Sequence, residues 1–236
     1  MARRPGGRIA RARRPGLRDD TPVPVPVLHG FDPTLLLVLN LAGTFVFGLS
    51  GGLAGVEKRL DMFGVVVLAV VVGLAGGITR DLLIGIPPQT FRDWRYLAVA
   101  GGAGLVTFLA HSTLERRERS ILVLDAAGLA LFCVTGASTA LDHHVGAIEA
   151  VVLGAITGIG GGVLRDILVR EIPVVLRTGL YAIPALIGAA IVVVASQSGS
   201  HSLAIPIIGA AVCFLIRLAG IYFDLNVPQA RSREPE

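Results

Sequence analysis

"GGGVLRDILVREIP", residues 160–173, sets three glycines ahead of an adjacent arginine and aspartate, and a proline closes the stretch. The chain repeats the arrangement as "AGGITRDLLIGIPP" at residues 75–88. Sliding the sequence along itself by 85 residues lays Arg80 on Arg165 and Asp81 on Asp166. At that one gap-free offset, residues 37–100 and 122–185 agree at 20 of 64 positions. Chance in so apolar a chain gives about one match in ten. The matches include Ala42-Gly43 with Ala127-Gly128, Gly73 with Gly158, Pro88 with Pro173, Arg92 with Arg177 and Tyr96 with Tyr181. They run through loops as well as apolar runs, which marks an internal duplication.

The surroundings of the motif are greasy. Hydrophobic residues make up 53% of the chain and charged ones 16%, with a mean hydropathy of +0.72. Residues 33–56 and 62–79 carry no charge, and neither does 178–216. A hydrocarbon core of roughly 30 Å takes about 20 apolar residues of helix, so these runs read as membrane spans near 34–54, 62–84, 96–113, 120–140, 146–168, 179–196 and 203–223. The expected fold is an all-α polytopic membrane protein with seven transmembrane helices. Each copy holds three spans, an odd number, so the second copy enters the membrane from the opposite side. That is the signature of inverted repeats in channels and transporters. The expected organisation is an Arg-rich arm at 1–32, a first three-helix repeat at 33–115 and an inverted second repeat at 118–197. A seventh helix at 201–223 and a polar tail at 224–236 complete it.

The net charge of +4 is a poor guide to partners, because seven of the 21 basic residues lie in the first 18 positions. That arm has no apolar signal core and reads as a disordered cationic tail suited to anionic lipid. No basic-aromatic module follows it, which argues against nucleic acid. Trp94, the only tryptophan, reads as an interfacial anchor. Cys133 and Cys213 fall inside spans and need neither disulfide nor metal. His143 and His144 are adjacent, point to different faces of a helix and lack a third ligand, so no metal site is expected. No nucleophile-base set, phosphate loop or dinucleotide fingerprint is present. An enzyme is not expected, nor a cofactor. Counting lysine and arginine close to the spans places the carboxyl terminus in the cytoplasm.

Glycine costs about 1 kcal/mol against alanine inside a helix, and in membrane helices it usually serves close packing. Here the glycines precede charges and a proline follows, so spans two and five are expected to break near Gly76, Gly77, Gly160, Gly161 and Gly162. Backbone freed there must be buried or line a wet cavity. Arg80, Asp81, Arg165 and Asp166 are the costliest residues in a bilayer and by default mark a pathway. Their other reading is local: each arginine caps freed carbonyls while the aspartate accepts from loop amides. Neighbours on a helix diverge, so the expected pairing is across the repeats, Arg80 with Asp166 or Arg165 with Asp81. Asn40 and Asp125 hold equivalent positions and stay open between site and interface.

The duplicated "GG-x-x-RD-x-L" with its trailing proline resembles the bacterial inner-membrane family carrying the glycine-transporter domain. That family is similar in architecture to the trimeric intracellular cation (TRIC) channels. The resemblance covers residues 33–223. It implies a homotrimer in the bacterial plasma membrane, each subunit with its own pore between the two glycine-kinked helices. It places the pore or substrate-binding residues at Gly76, Gly77, Arg80, Asp81, Gly160, Gly161, Gly162, Arg165 and Asp166. Two readings follow. The preferred one is a passive channel for monovalent cations such as potassium; the alternative is a secondary transporter of a small amino acid such as glycine, whose carboxylate an arginine would take.

Overall fold

The computed structural model describes residues 31–114, 119–177 and 180–223, without the side chains of 111–114. The amino-terminal arm, but for its last two residues, and the polar tail lie outside these. Nine helices follow in order among the described residues: α1 (Pro33–Glu57), α2 (Met62–Ile84), α3 (Gln89–Arg92), α4 (Trp94–Leu114) and α5 (Arg119–Asp142), then α6 (Ala147–Leu168), α7 (Val174–Arg177), α8 (Ala182–Gln197) and α9 (Ala204–Tyr222). No strand occurs among those residues. The all-helical expectation holds. Helix is found at all seven expected spans, and α1, α2, α5, α6 and α9 are long and apolar enough to cross a membrane. Of the other two, α4 carries the apolar stretch Trp94–Ala110, and α8, Ala182–Gln197, is the short one. At 16 residues, α8 rises only about 24 Å.

Local signals explain where the helices start and stop. Asp32 caps α1 by accepting from Leu35 N at 2.8 Å, with Pro33 in the first turn. Asp61 does the same for α2 through Gly64 N at 2.7 Å. Gly85 ends α2 with φ +82°, a left-handed angle that side chains resist. The prolines that follow cannot continue a helix, so the chain turns back through the one-turn helix α3. Shifted by 85 residues, α3 falls on α7.

The long helices form two groups, α1 with α2 and α4, and α5 with α6 and α8. They meet through α1 against α5 and α2 against α6, while α9 packs on α5 and α8. The beginning of α1 shares a cavity with the end of α5, through Leu36 and Thr139. The end of α1 shares another with the beginning of α5, through Ala54 and Ile121. These two helices therefore run antiparallel.

One expectation is corrected here. Neither α2 nor α6 breaks at its glycines: both run as uninterrupted α-helix through Gly76-Gly77 and Gly160-Gly161-Gly162. The glycines allow close approach instead. A Cβ on Gly73 would lie 2.8 Å from the Thr44 carbonyl oxygen, and one on Gly158 would lie 2.8 Å from that of Leu129. Those two pairs are related by the 85-residue offset. A Cβ on Gly76 would run into the Thr157 carbonyl oxygen, and one on Gly161 would sit 3.0 Å from that of Val72. The helices keep their own hydrogen bonds and gain dispersion contacts where they cross, which is the usual use of small residues in membranes.

Candidate functional site

Each arginine of the duplicated motif pairs with the aspartate that follows it. Arg80 Nε donates to Asp81 Oδ1 at 2.8 Å, and Nη2 closes an ion pair on the same oxygen at 2.8 Å. Arg165 repeats this on Asp166 Oδ1, at 2.9 Å from Nε and 2.8 Å from Nη2. The second oxygen of each aspartate holds the one-turn helix beyond. Asp81 Oδ2 accepts from Gln89 N at 2.8 Å, and Asp166 Oδ2 from Val174 N at 2.9 Å. Gln89 and Val174 are again 85 residues apart. The carboxylate is thus fixed by a backbone amide in a position where the long guanidinium folds back onto it. That corrects two expectations. The pairing is within each repeat and not across it, and the arginines satisfy carboxylates, not freed carbonyls. The loop-amide role expected of the aspartates is observed.

The remaining guanidinium nitrogens reach the first helix of each copy. Arg80 Nη1 donates to Asn40 Oδ1 at 3.2 Å, while Asn40 Nδ2 donates to Leu36 O. Arg165 Nη1 donates to Asp125 Oδ1 at 2.7 Å and to Ser50 Oγ at 2.7 Å. Asn40 and Asp125 are equivalent in the duplication, and each meets the arginine of its own copy. Asp125 is 0% exposed. The second copy also recruits α9: the Arg217 guanidinium stands 4.6 Å over the Tyr181 ring. Asp125 Oδ2, the Tyr181 hydroxyl and Arg217 Nε have no hydrogen-bond partner among the described residues. Burying a charge in such surroundings is tolerable only when it is paired. Arg80, Asp81, Arg165 and Asp166 are all buried.

Each knot lies at the inner end of a cavity, and the two cavities open at opposite ends of α1. The first, about 200 Å³, reaches Arg80 past Asn40, Gln89, Tyr96, Asp142 and His143. A narrow recess of about 10 Å³ continues it inward along Asn40, Thr44, Gly77 and Phe132. The second, about 300 Å³, reaches Arg165 and Asp166 past Glu57, Lys58, Glu171 and Arg177. Lys58 and Glu171 pair at 2.7 Å between the two copies beside it. The pair holds the Glu171 carboxyl below its ordinary range and the Lys58 ammonium above its own.

The expected glycines divide by role. Gly76, Gly160 and Gly161 lie where α2 meets α6. Gly77 borders the inner recess, and a Cβ there would meet nothing within 4 Å. Its equivalent, Gly162, is filled around: a Cβ there would strike the Tyr181 hydroxyl and lie 2.6 Å from Asp125 Oδ1. Ser50, Tyr181 and Arg217 were not singled out as site residues from sequence. The match of Tyr96 with Tyr181 was a signal for Tyr181 alone.

Known proteins match this chain over most of its length. The family model described as Glycine transporter matches twice, at residues 37–112 and 122–197, two segments offset by the same 85 residues. A UPF0126 membrane protein of Streptomyces coelicolor is 50% identical over 206 residues, covering 86% of this chain and 94% of that protein. The inner membrane protein YadS of Escherichia coli is 39% identical over 201 residues, covering 82% of this chain and 95% of its own length. The crystal structure of the TRIC trimeric intracellular cation channel orthologue from Rhodobacter sphaeroides superposes with a TM-score of 0.78 at 37% identity, covering 81% of this chain and all of that one (100%). A prokaryotic TRIC channel gives 0.76 at 36% identity, covering 82% of this chain and 99% of that one.

Proposed function

This chain belongs to the Glycine transporter family, and from that premise we propose that it is a passive channel for monovalent cations, potassium among them, in the bacterial inner membrane. One observation carries the reading: two cavities with charged residues in their walls enter from opposite ends of α1, and each reaches a buried arginine-aspartate knot. The antiparallel course of α1 and α5 supports two inverted three-helix halves with α9 outside them. The conduit runs where the halves meet, flanked by α2 and α6. Its residues are Arg80, Asp81, Arg165 and Asp166, with Asn40, Ser50 and Asp125 beside them and Gly76, Gly77, Gly160, Gly161 and Gly162 setting its width. Likeness to trimeric channels supports a homotrimer with one conduit per subunit. Lys58, Arg59, Arg170 and Arg177 support a cytoplasmic carboxyl terminus.

Arginines in a cation path need neutralising. Both guanidiniums here are engaged by carboxylates, so a cation passing the knots meets paired charge and not bare charge. The same engagement disfavours amino-acid transport. A substrate carboxylate needs an unengaged guanidinium or the exposed amino end of a half-helix, and the unbroken α2 and α6 offer no such end. The test is flux through purified protein in liposomes. Collapse of a potassium gradient with no amino acid present supports the channel; saturable uptake of labelled glycine with negligible potassium leak overturns it.

A further inference from the structure

The described residues bury six charges, Arg80, Arg165 and Arg217 against Asp81, Asp125 and Asp166. The first copy is neutral by itself: Arg80 cancels Asp81, and the third member of its knot, Asn40, has no charge. The second copy is not. Asp125 stands where the first has an amide, so Arg165 serves two carboxylates and one negative charge is left over. The remaining buried charge, Arg217, comes from α9, which lies outside the duplication.

Tyr181 joins the two. The Arg217 guanidinium lies over the face of its ring, and Asp125 lies at its hydroxyl end, because both that hydroxyl and Asp125 Oδ1 crowd the Cβ position of Gly162. Arg165 takes Asp125 Oδ1, and Oδ2 has no hydrogen-bond partner among the described residues. Arg217 is 3% exposed. Its Nη1 reaches the Leu180 carbonyl oxygen at 3.5 Å, beyond the usual length of a hydrogen bond. A ring face and a distant carbonyl do not cancel a cation shut away from water. The surplus carboxylate does. Asp125, Tyr181 and Arg217 thus tie together α5, the start of α8 and α9, which pack on one another.

We propose that Arg217 is the counter-charge of Asp125, the residue through which α9 sets the charge of the second half of the conduit and hence its preference for cations over anions. This rests on the channel reading above. Arg217 lines none of the cavities already described, so it is a positioning charge that acts across Tyr181 on Asp125. With it, both halves are neutral. Without it, the second half keeps one net negative charge; with Arg217 kept and an amide at 125, it gains one net positive charge. A unit charge about 10 Å from the path, at an effective dielectric of about 20, changes local ion concentration on the order of tenfold. The two single changes therefore push in opposite directions, which damage to packing does not do.

The test uses the full chain in a planar bilayer under a potassium chloride gradient and reads the potassium-to-chloride permeability ratio. Asp125→Asn is expected to lower that ratio on the order of tenfold, and Arg217→Gln to raise it by a similar factor. The double variant gives the second copy the neutral pattern of the first. Removing both members of a buried pair is tolerated where removing one is not, so the ratio should return toward that of the unaltered protein. Arg217→Lys keeps a cation over the ring; it should hold the unaltered ratio, and it remains readable if Arg217→Gln does not fold. If both single changes shift the ratio the same way, if the double variant does not return it, or if Arg217→Lys moves it by the full factor, the assignment of Arg217 fails while the channel reading stands. If the unaltered protein passes no potassium, both fail.

Discussion

Arg165 donates to Asp125 at 2.7 Å with both side chains shut away from solvent, whereas the equivalent Arg80 meets the neutral Asn40 at 3.2 Å. The two halves of the molecule are built to one plan and charged differently. Removing one member of a buried pair leaves its partner uncompensated, at a cost of about 3–5 kcal/mol. Asp125→Ala is therefore expected to lower stability by that order. Asp125→Asn, which copies the first repeat and keeps an acceptor for Arg165, should cost clearly less. Unfolding in detergent, followed by circular dichroism, measures the difference.

Gly77 and Gly162 are equivalent in sequence and opposite in surroundings. Gly77→Ala adds a methyl group where nothing lies within 4 Å, so it should be tolerated or stabilise α2 by up to about 1 kcal/mol through helix propensity. Gly162→Ala collides with Tyr181 and Asp125 and should cost about 1–3 kcal/mol as overpacking does. Thermal unfolding of the two variants side by side decides it. Equal losses would mean that α2 needs conformational freedom at Gly77.

Exchanging charges also separates local from cross-repeat pairing. Asp81 and Asp166 each serve two partners, the preceding arginine and a backbone amide of α3 or α7. An arginine cannot accept from an amide. Neither Arg80→Asp with Asp166→Arg nor Arg80→Asp with Asp81→Arg should recover the flux that single changes abolish. Recovery by the cross-repeat exchange would return the pairing to the pattern expected from helix geometry.

Much of this was legible in the sequence because the duplication is strict. The 85-residue offset that aligns Arg80 with Arg165 also aligns α3 with α7 and the two amides that the aspartates hold. Two readings failed for physical reasons. Consecutive glycines look the same whether they interrupt a helix or let another one approach, and only the facing atoms, such as the Thr157 carbonyl over Gly76, tell the cases apart. Likewise, side chains at i and i+1 diverge on average, but an arginine is long enough to curl back onto a carboxylate anchored by the next turn. Arg217 lies outside the duplication, so no internal comparison pointed to it.

The Lys58–Glu171 pair joins the copies at the rim of the second cavity, but its side chains are 41% and 52% exposed. Exposed pairs contribute little and are screened by salt. The lowered Glu171 value means that its share is present above the usual carboxylate range and fades as pH falls through the folded value. The raised Lys58 value means that its share is lost as pH rises through its own. Glu171→Gln should leave the Tm at neutral pH and physiological salt unmoved; a clear drop would make the pair a structural strap.

The route from one cavity past the knots to the other is tested most directly by current through purified protein in a planar bilayer under a potassium chloride gradient. The expected result is a conductance without any amino acid present, with a reversal potential on the potassium side of zero. A bilayer that stays silent until glycine is added, or a reversal potential on the chloride side, would contradict it.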